Sequence, residues 1–166
     1  PAPRQPAALP ATCPAALTAP GICKVNPATL PYSPGYAQLV VAPDRRTVHI
    51  AGQTAQDSTG TLLGGTSPLP QVRAVFANLR RALTAVGAGW GDVLQWTIYV
   101  TTPDVVPAFR AVRLEQLAGV APPAATLVQV QALARADWLV EVDAVVAAPR
   151  ALSCAALKRL ERPTPN

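Results

Sequence analysis

Two carboxylates stand out among the residues whose type and spacing could do chemistry. Glu141 and Asp143 lie two apart in the run Leu139-Val140-Glu141-Val142-Asp143-Ala144-Val145-Val146. Val140, Val142, Ala144 and Val146 alternate with Glu141, Asp143 and Val145, which is the period of a half-buried strand. Both acids therefore leave one strand face, about 7 Å apart. A carboxylate pair on such a face suits general acid–base work, in which one group holds or deprotonates a water. The plain alternatives are a solvated strand residue for Glu141 and a structural contact for Asp143.

Other side chains offer weaker handles. Tyr36 and Tyr99 carry phenols that either hydrogen-bond a ligand or sit at an interface. Thr126 and Gln129 offer neutral hydrogen bonds, with a cross-strand or intersubunit bond as the simpler role for Gln129. His49 is the single histidine, and no acid or nucleophile is spaced to work with it, so a packed or exposed strand histidine is expected. Asn78 falls inside a helical pattern and reads as an intersubunit or loop-anchoring contact. No Ser-His-Asp arrangement, phosphate-binding loop or dinucleotide fingerprint is present. Cys13, Cys23 and Cys154 show no CxxC or Cys/His spacing, so no metal site is expected.

The elements that must position these groups follow from periodicity. Residues 122–147 organise the chain. Val128, Val130 and Ala132 alternate with Gln129 and Gln131, so a strand precedes the acidic one. The few residues between, Ala134 to Asp137, predict an antiparallel hairpin. Residues 36–42 predict a first strand, Pro43 to Arg46 a turn, and Thr47 to Gly52 the returning strand. On that strand Val48 and Ile50 face one way and Thr47, His49 and Ala51 the other. Residues 53–67 read as a loop holding Asp57, Gly60, Gly64 and Gly65. Residues 68–86 predict a helix, with Val72, Val75, Phe76, Leu79, Leu83 and Val86 inward and Arg73, Arg80, Arg81 and Thr84 outward. Ser67 is placed to cap it, and Gly87 and Gly89 to stop it. Residues 93–100 predict a third strand. Asp104 caps a second helix over 105–118, with Phe109, Val112 and Leu117 inward.

The order β-β-α-β-α-β-β implies an α+β fold: a mixed sheet with both helices on one face. Nothing but the tails could cover the other face, so association with copies of the chain is the natural solution.

Composition narrows the function classes. Residues 1–30 hold Arg4 and Lys24 and no acid, residues 149–166 hold four bases and Glu161, and residues 31–148 balance eight bases with eight acids. The net charge of +5 thus belongs to the tails, which argues against a nucleic-acid-binding face. No run approaches the roughly 18 apolar residues of a membrane span. The chain divides into a Pro-rich arm over 1–32 with Cys13 and Cys23, a domain over 33–148, and a basic tail over 149–166 that includes a short helical stretch, 151–160. The arm reads as irregular. The cysteines are either inert thiols or include one pair that staples a tail, with the partners open. The chain starts at Pro1 and holds no Met, so a leader is expected to have been cut or left out. Cysteine placement suggests export; otherwise the protein is cytoplasmic.

Three stretches resemble one family. IAGQTAQDSTGTLLG (50–64), QVRAVFANLRRALTAVGAGWGDVLQWTIYVTT (71–102) and PPAATLVQVQALARADWLVEVDAVVA (122–147) are similar to the RidA/YjgF family of reactive-intermediate deaminases, over about 33–148. The resemblance implies a chorismate-mutase-like fold, a homotrimer and a small-molecule cleft between each pair of subunits. It implies cofactor-free hydrolysis of enamines and imines to a keto acid and ammonia, with a glutamate on the last strand placing the water. That glutamate carries over to Glu141, the cleft tyrosine to Tyr36 with Tyr32 as competitor, and the glycine of the first motif to Gly52. An arginine that grips the substrate carboxylate belongs at Ala125, in Pro123-Ala124-Ala125-Thr126. Its absence resembles the Arg-lacking branches of the family and leaves Thr126 as a neutral ligand. No basic residue replaces it in the motif. Arg135 sits in the turn before the acidic strand and would reach the cleft only after that loop rearranged.

Overall fold

Helix α1, Pro68–Ala85, carries the core. Its stripe Val72, Val75, Phe76, Leu79, Ala82 and Leu83 is buried, while Arg73, Arg80, Arg81 and Thr84 are exposed, as the 3.6-residue period requires. The computed structural model describes residues 23–25, 27–30, 39–42, 47–120, 122–147, 158–159 and 161. Tyr36, Tyr32, Cys13, Cys154, the expected turn at 43–46 and nearly all of the expected tail helix lie outside them.

The strands are β1 Cys23–Val25, β2 Leu39–Ala42, β3 Thr47–Gln53, β4 Val93–Val100, β5 Ala124–Gln129 and β6 Val140–Ala147. The second helix, α2, spans Val105–Gln116. They form one six-stranded sheet in the order β1-β2-β3-β6-β4-β5. All neighbours run antiparallel except β4 and β5, which are parallel. The expected mixed sheet is therefore present, with one strand more than the pattern predicts. That strand is β1, whose three residues are too short and too close to prolines to show a period.

One expectation fails. Residues 122–147 do not form a hairpin. The strand lies at 124–129 rather than around 128–132, and β4 is inserted between it and β6. The cause is apolar demand. β4 buries Trp96, Ile98 and Val100 completely, whereas every residue of β5 is exposed. The more apolar strand takes the interior place and β5 becomes the edge, reached through α2 as a parallel neighbour needs.

Trp96 meets Phe76 edge to face at 5.7 Å between centroids, and Phe109 of α2 and Trp90 complete the aromatic cluster. Phe109, Val112 and Leu117 point inward as expected. Neither Ser67 nor Asp104 makes a side-chain cap, although each stands at its helix start. Two polar side chains in the buried stripe of α1 fix the loops instead. Gln71 donates to the carbonyls of Gly65 (2.6 Å) and Asp137 (2.8 Å) and accepts from the Leu139 amide (2.9 Å). Asn78 donates to the carbonyls of Thr54 and Gln56 at 2.9 and 2.8 Å. Both are buried, so these bonds satisfy groups that burial would otherwise make costly. No helix among the described residues is long and apolar enough to cross a membrane.

Candidate functional site

β6 lies between β3 and β4, so its backbone is held by ladders on both edges. Its burial alternates strictly: Val140, Val142, Ala144 and Val146 lie under the helices, and Glu141, Asp143, Val145 and Ala147 take the opposite, open face. Cross-strand partners share a face. Glu141 is paired with Tyr99 of β4, and Asp143 with Thr97. Thr97 is paired in turn with Thr126 of β5, and Tyr99 with Val128. Two rows thus cross the open face, Asp143-Thr97-Thr126 and Glu141-Tyr99-Val128.

Gly52 completes the setting of Glu141. The β3–β6 register shifts between Ile50 and Gln53, a bulge that leaves Ala51 and Gly52 without regular partners. The Glu141 side chain lies over this point. A Cβ on Gly52 would stand 1.8 Å from Glu141 Oε1, 2.6 Å from Cδ and 2.9 Å from Cγ. Only glycine leaves room for the carboxylate in that notch.

The carboxyl is half-buried, and its pKa is raised from the ordinary 4.5, first by burial and second by the Asp143 charge. Tyr99 Oη donates to Asp143 Oδ2 at 3.3 Å. Burial, then Asp143, pushes the Tyr99 phenol up from the ordinary 10.0. Tyr99 therefore stays a neutral hydrogen-bond donor across the physiological range, beside one acid that holds its proton more tightly than usual. The arrangement can hold a water or small polar molecule between acceptors and a phenol donor. No cluster of His, Cys, Asp and Glu among the described residues suits a metal ion.

The remaining candidates divide clearly. Thr126 reaches the open face, one strand beyond Thr97. Ala125 pairs with Trp96, so it belongs to the helix side of the sheet and does not approach Glu141 within one chain. Gln129 pairs with Val100, likewise on the helix side. His49 is exposed on β3 opposite Val145 rather than either acid. Arg135 is held in its turn by Asp137 at 2.6 Å and stacks on Trp138. Asn78 anchors a loop, one of its two expected roles. Thr97 and Gln71 are the residues that sequence reasoning missed. Thr97 follows from the alternation of β4, and Gln71 from being a polar residue on the apolar stripe seven positions before Asn78.

The endoribonuclease L-PSP family model matches residues 26–148. The chain belongs to the RidA/YjgF family. Over 100 residues it is 32% identical to a RutC family protein of Synechocystis, a match covering 60% of this chain and 76% of that one. RidA from the Antarctic bacterium Psychrobacter is 27% identical, with a TM-score of 0.67 over 75% of this chain and 98% of the other. The Rid family protein YyfA of Yersinia pestis superposes with a TM-score of 0.70 over 76% and 98% of the two chains, at 22% identity, and shows the shared fold. The α+β architecture with two helices on one sheet face is therefore that of the Rid family.

Proposed function

We propose that this RidA-family chain acts as a homotrimer with a small-molecule cleft at each subunit interface, and that it hydrolyses imine- or enamine-type substrates lacking the usual carboxylate. The observation that carries the reading is the Glu141 carboxyl, half-buried in the Gly52 notch with its proton affinity raised. A carboxylate with an elevated pKa is suited to take a proton from water and return it near neutral pH. In the reaction, water oxygen bonds to the imine carbon as Glu141 accepts its proton, and the C=N electron pair moves to nitrogen, which is protonated. The C–N bond then breaks, ammonia leaves and the carbonyl forms. The sequence is redox-neutral and calls for no cofactor. The trimer is supported by the family and by a polar-edged sheet face that no described element covers.

Ala125 supports the substrate restriction. A substrate carboxylate brought into a cleft without its bidentate arginine would lose several kcal/mol, because nothing offsets its desolvation. Incubation with a neutral imine should release ammonia, and Glu141→Gln should lower the rate by about 100-fold or more. Unchanged turnover in that variant removes Glu141 from the mechanism. Rapid release of ammonia from freshly generated iminopropionate would refute the restriction. The same alanine favours a second reading, a trimeric protein that binds a small molecule without turning it over, which thermal shifts without turnover would support. Ribonucleolytic or translation-related activity, the third reading, is disfavoured by the neutral charge of residues 31–148. RNA affinity that falls steeply with salt would revive it.

A further inference from the structure

On the far side of the molecule from Glu141, the outer face of α1 borders a cavity of ≈ 540 Å³, lined by Pro27, Thr29, Ala77, Arg80, Arg81, Thr84 and Ala85. A second hollow of ≈ 250 Å³ shares Arg80 and Thr84 with it and extends to Leu83, Ala88, Gly89 and Trp90. The shared residues make the two one continuous groove. We propose that this groove binds a small organic anion with an apolar body, such as an aryl or short-chain carboxylate.

Charge carries the argument. α1 bears three outward arginines. Arg73 is neutralised by Glu115 of α2 through two hydrogen bonds, at 2.7 and 2.9 Å. Among the described residues, Arg80 and Arg81 have no such acidic partner. Arg80 donates to the amide oxygen of Gln116 at 2.5 Å and lies over the Trp90 ring, 5.8 Å from its centroid. Arg81 donates to Asn78 Oδ1 at 2.6 Å. The helix pair thus places a glutamine, not a glutamate, beside Arg80. Both guanidiniums are oriented by neutral acceptors and keep their charge and unused donors for something else. None of the lining residues is acidic. Two acids border the groove: Asp92 is engaged at one end, accepting from the Gly89 amide at 2.8 Å, and Glu161 bridges to Pro27 through its backbone while its carboxylate is held by Lys158 at 2.8 Å.

Shape and chemistry define the ligand. The volume falls in the roughly 300–1,000 Å³ range of small-molecule sites. Pro27, Ala77, Ala85 and Ala88 offer an apolar floor, Thr84 a neutral hydrogen bond, and the two guanidinium forks a planar carboxylate or sulfonate grip.

The test uses the full chain and a fluorescent amphipathic anion, 1-anilinonaphthalene-8-sulfonate, beside its uncharged analogue N-phenyl-1-naphthylamine. The sulfonate should show one saturable site per chain. Arg80→Gln and Arg81→Gln should each weaken it by about tenfold. Thermal unfolding should confirm that both variants fold, as expected for exposed side chains. The uncharged analogue should lose no affinity, and Arg73→Gln should leave sulfonate binding unchanged. Absence of saturable binding, wild-type affinity in the Arg80 and Arg81 variants, or an equal loss for Arg73→Gln or for the uncharged probe would each overturn the proposal.

Discussion

Replacing Gly52 by Ala isolates the notch that holds Glu141. The new methyl would sit within 3.0 Å of three Glu141 side-chain atoms, the nearest being Oε1 at 1.8 Å. It would meet no backbone atom among its nearest contacts, so the flexible side chain must move and the sheet need not. Rotating a side chain about 30° off its well costs about 0.5–1.5 kcal/mol, and a rotamer that swings into solvent costs less. Against this, Gly→Ala in an allowed conformation stabilises by about 0.4–1 kcal/mol through the unfolded chain. The net change in stability should be within about 1 kcal/mol, a shift of roughly 2–4 °C in Tm for a chain of this size. The larger effect should fall on the carboxyl. Displaced from the notch, it regains water, and its pKa should fall back towards the ordinary 4.5. Carboxyl-selective NMR titration of wild type and variant, with Glu141→Gln to assign the signal, measures this directly. In a Glu141→Ala background the clash disappears, so Gly52→Ala should then be neutral or stabilising, and the double-mutant cycle reports the coupling. A pKa that does not move, or a loss of several kcal/mol that persists without Glu141, would refute the notch.

Other perturbations probe the same framework. Because the folded Glu141 pKa lies above its unfolded value, the stabilising contribution of the protonated form is full below the ordinary 4.5 and is lost as pH rises through the folded pKa. Glu141→Gln should therefore gain stability relative to wild type as pH climbs from about 4.5 upward. A constant difference across thermal melts from acid to neutral pH would show the carboxyl to be solvated. Asp143→Asn should lower the Glu141 pKa only in part, since burial is the larger cause, and a full return to the ordinary value in the NMR titration would reverse that ranking. Gln71→Leu would orphan two carbonyls and one amide at once, costing about 1–3 kcal/mol for each group left dry. Chemical denaturation should register several kcal/mol, and a near-neutral result would mean that water reaches those groups.

The two helices and the acidic strand were legible because burial imposes its period on them. α1 and β6 repeat at 3.6 and 2 residues since one side of each faces the core, and the half-buried places of Glu141 and Asp143 on the opposite sheet face follow. The pairing of β5 was not legible. Alternation tells which face a residue takes, not which strand lies beside it, and an exposed edge such as Ala124–Gln129 has little burial to write a pattern. The decision belonged to β4, whose Trp96, Ile98 and Val100 needed cover on the helix side and strands on both edges. The Gly52 notch was hidden for a different reason. A bulge shifts register by one residue, and no periodic template contains it; the resemblance to a family motif pointed to Gly52 where composition and spacing did not.

The central place of β6 has a consequence for any chemistry at Glu141. Its backbone is fixed by β4 on one edge and β3 on the other, so positional freedom is confined to the side chain. The notch gives the carboxylate a half-buried resting place that only a missing Cβ admits. A group constrained in this way is held before any ligand arrives, which is what positioning a water demands. Thr126 stands in the opposite situation, on an exposed edge strand paired along one side only. If a ligand bridges the two, the strand β5 must supply the adjustment and Glu141 the fixed point. Substitutions at Thr126 should then alter which ligand is taken, while substitutions at Gly52 should alter the protonation and placement of the acid itself.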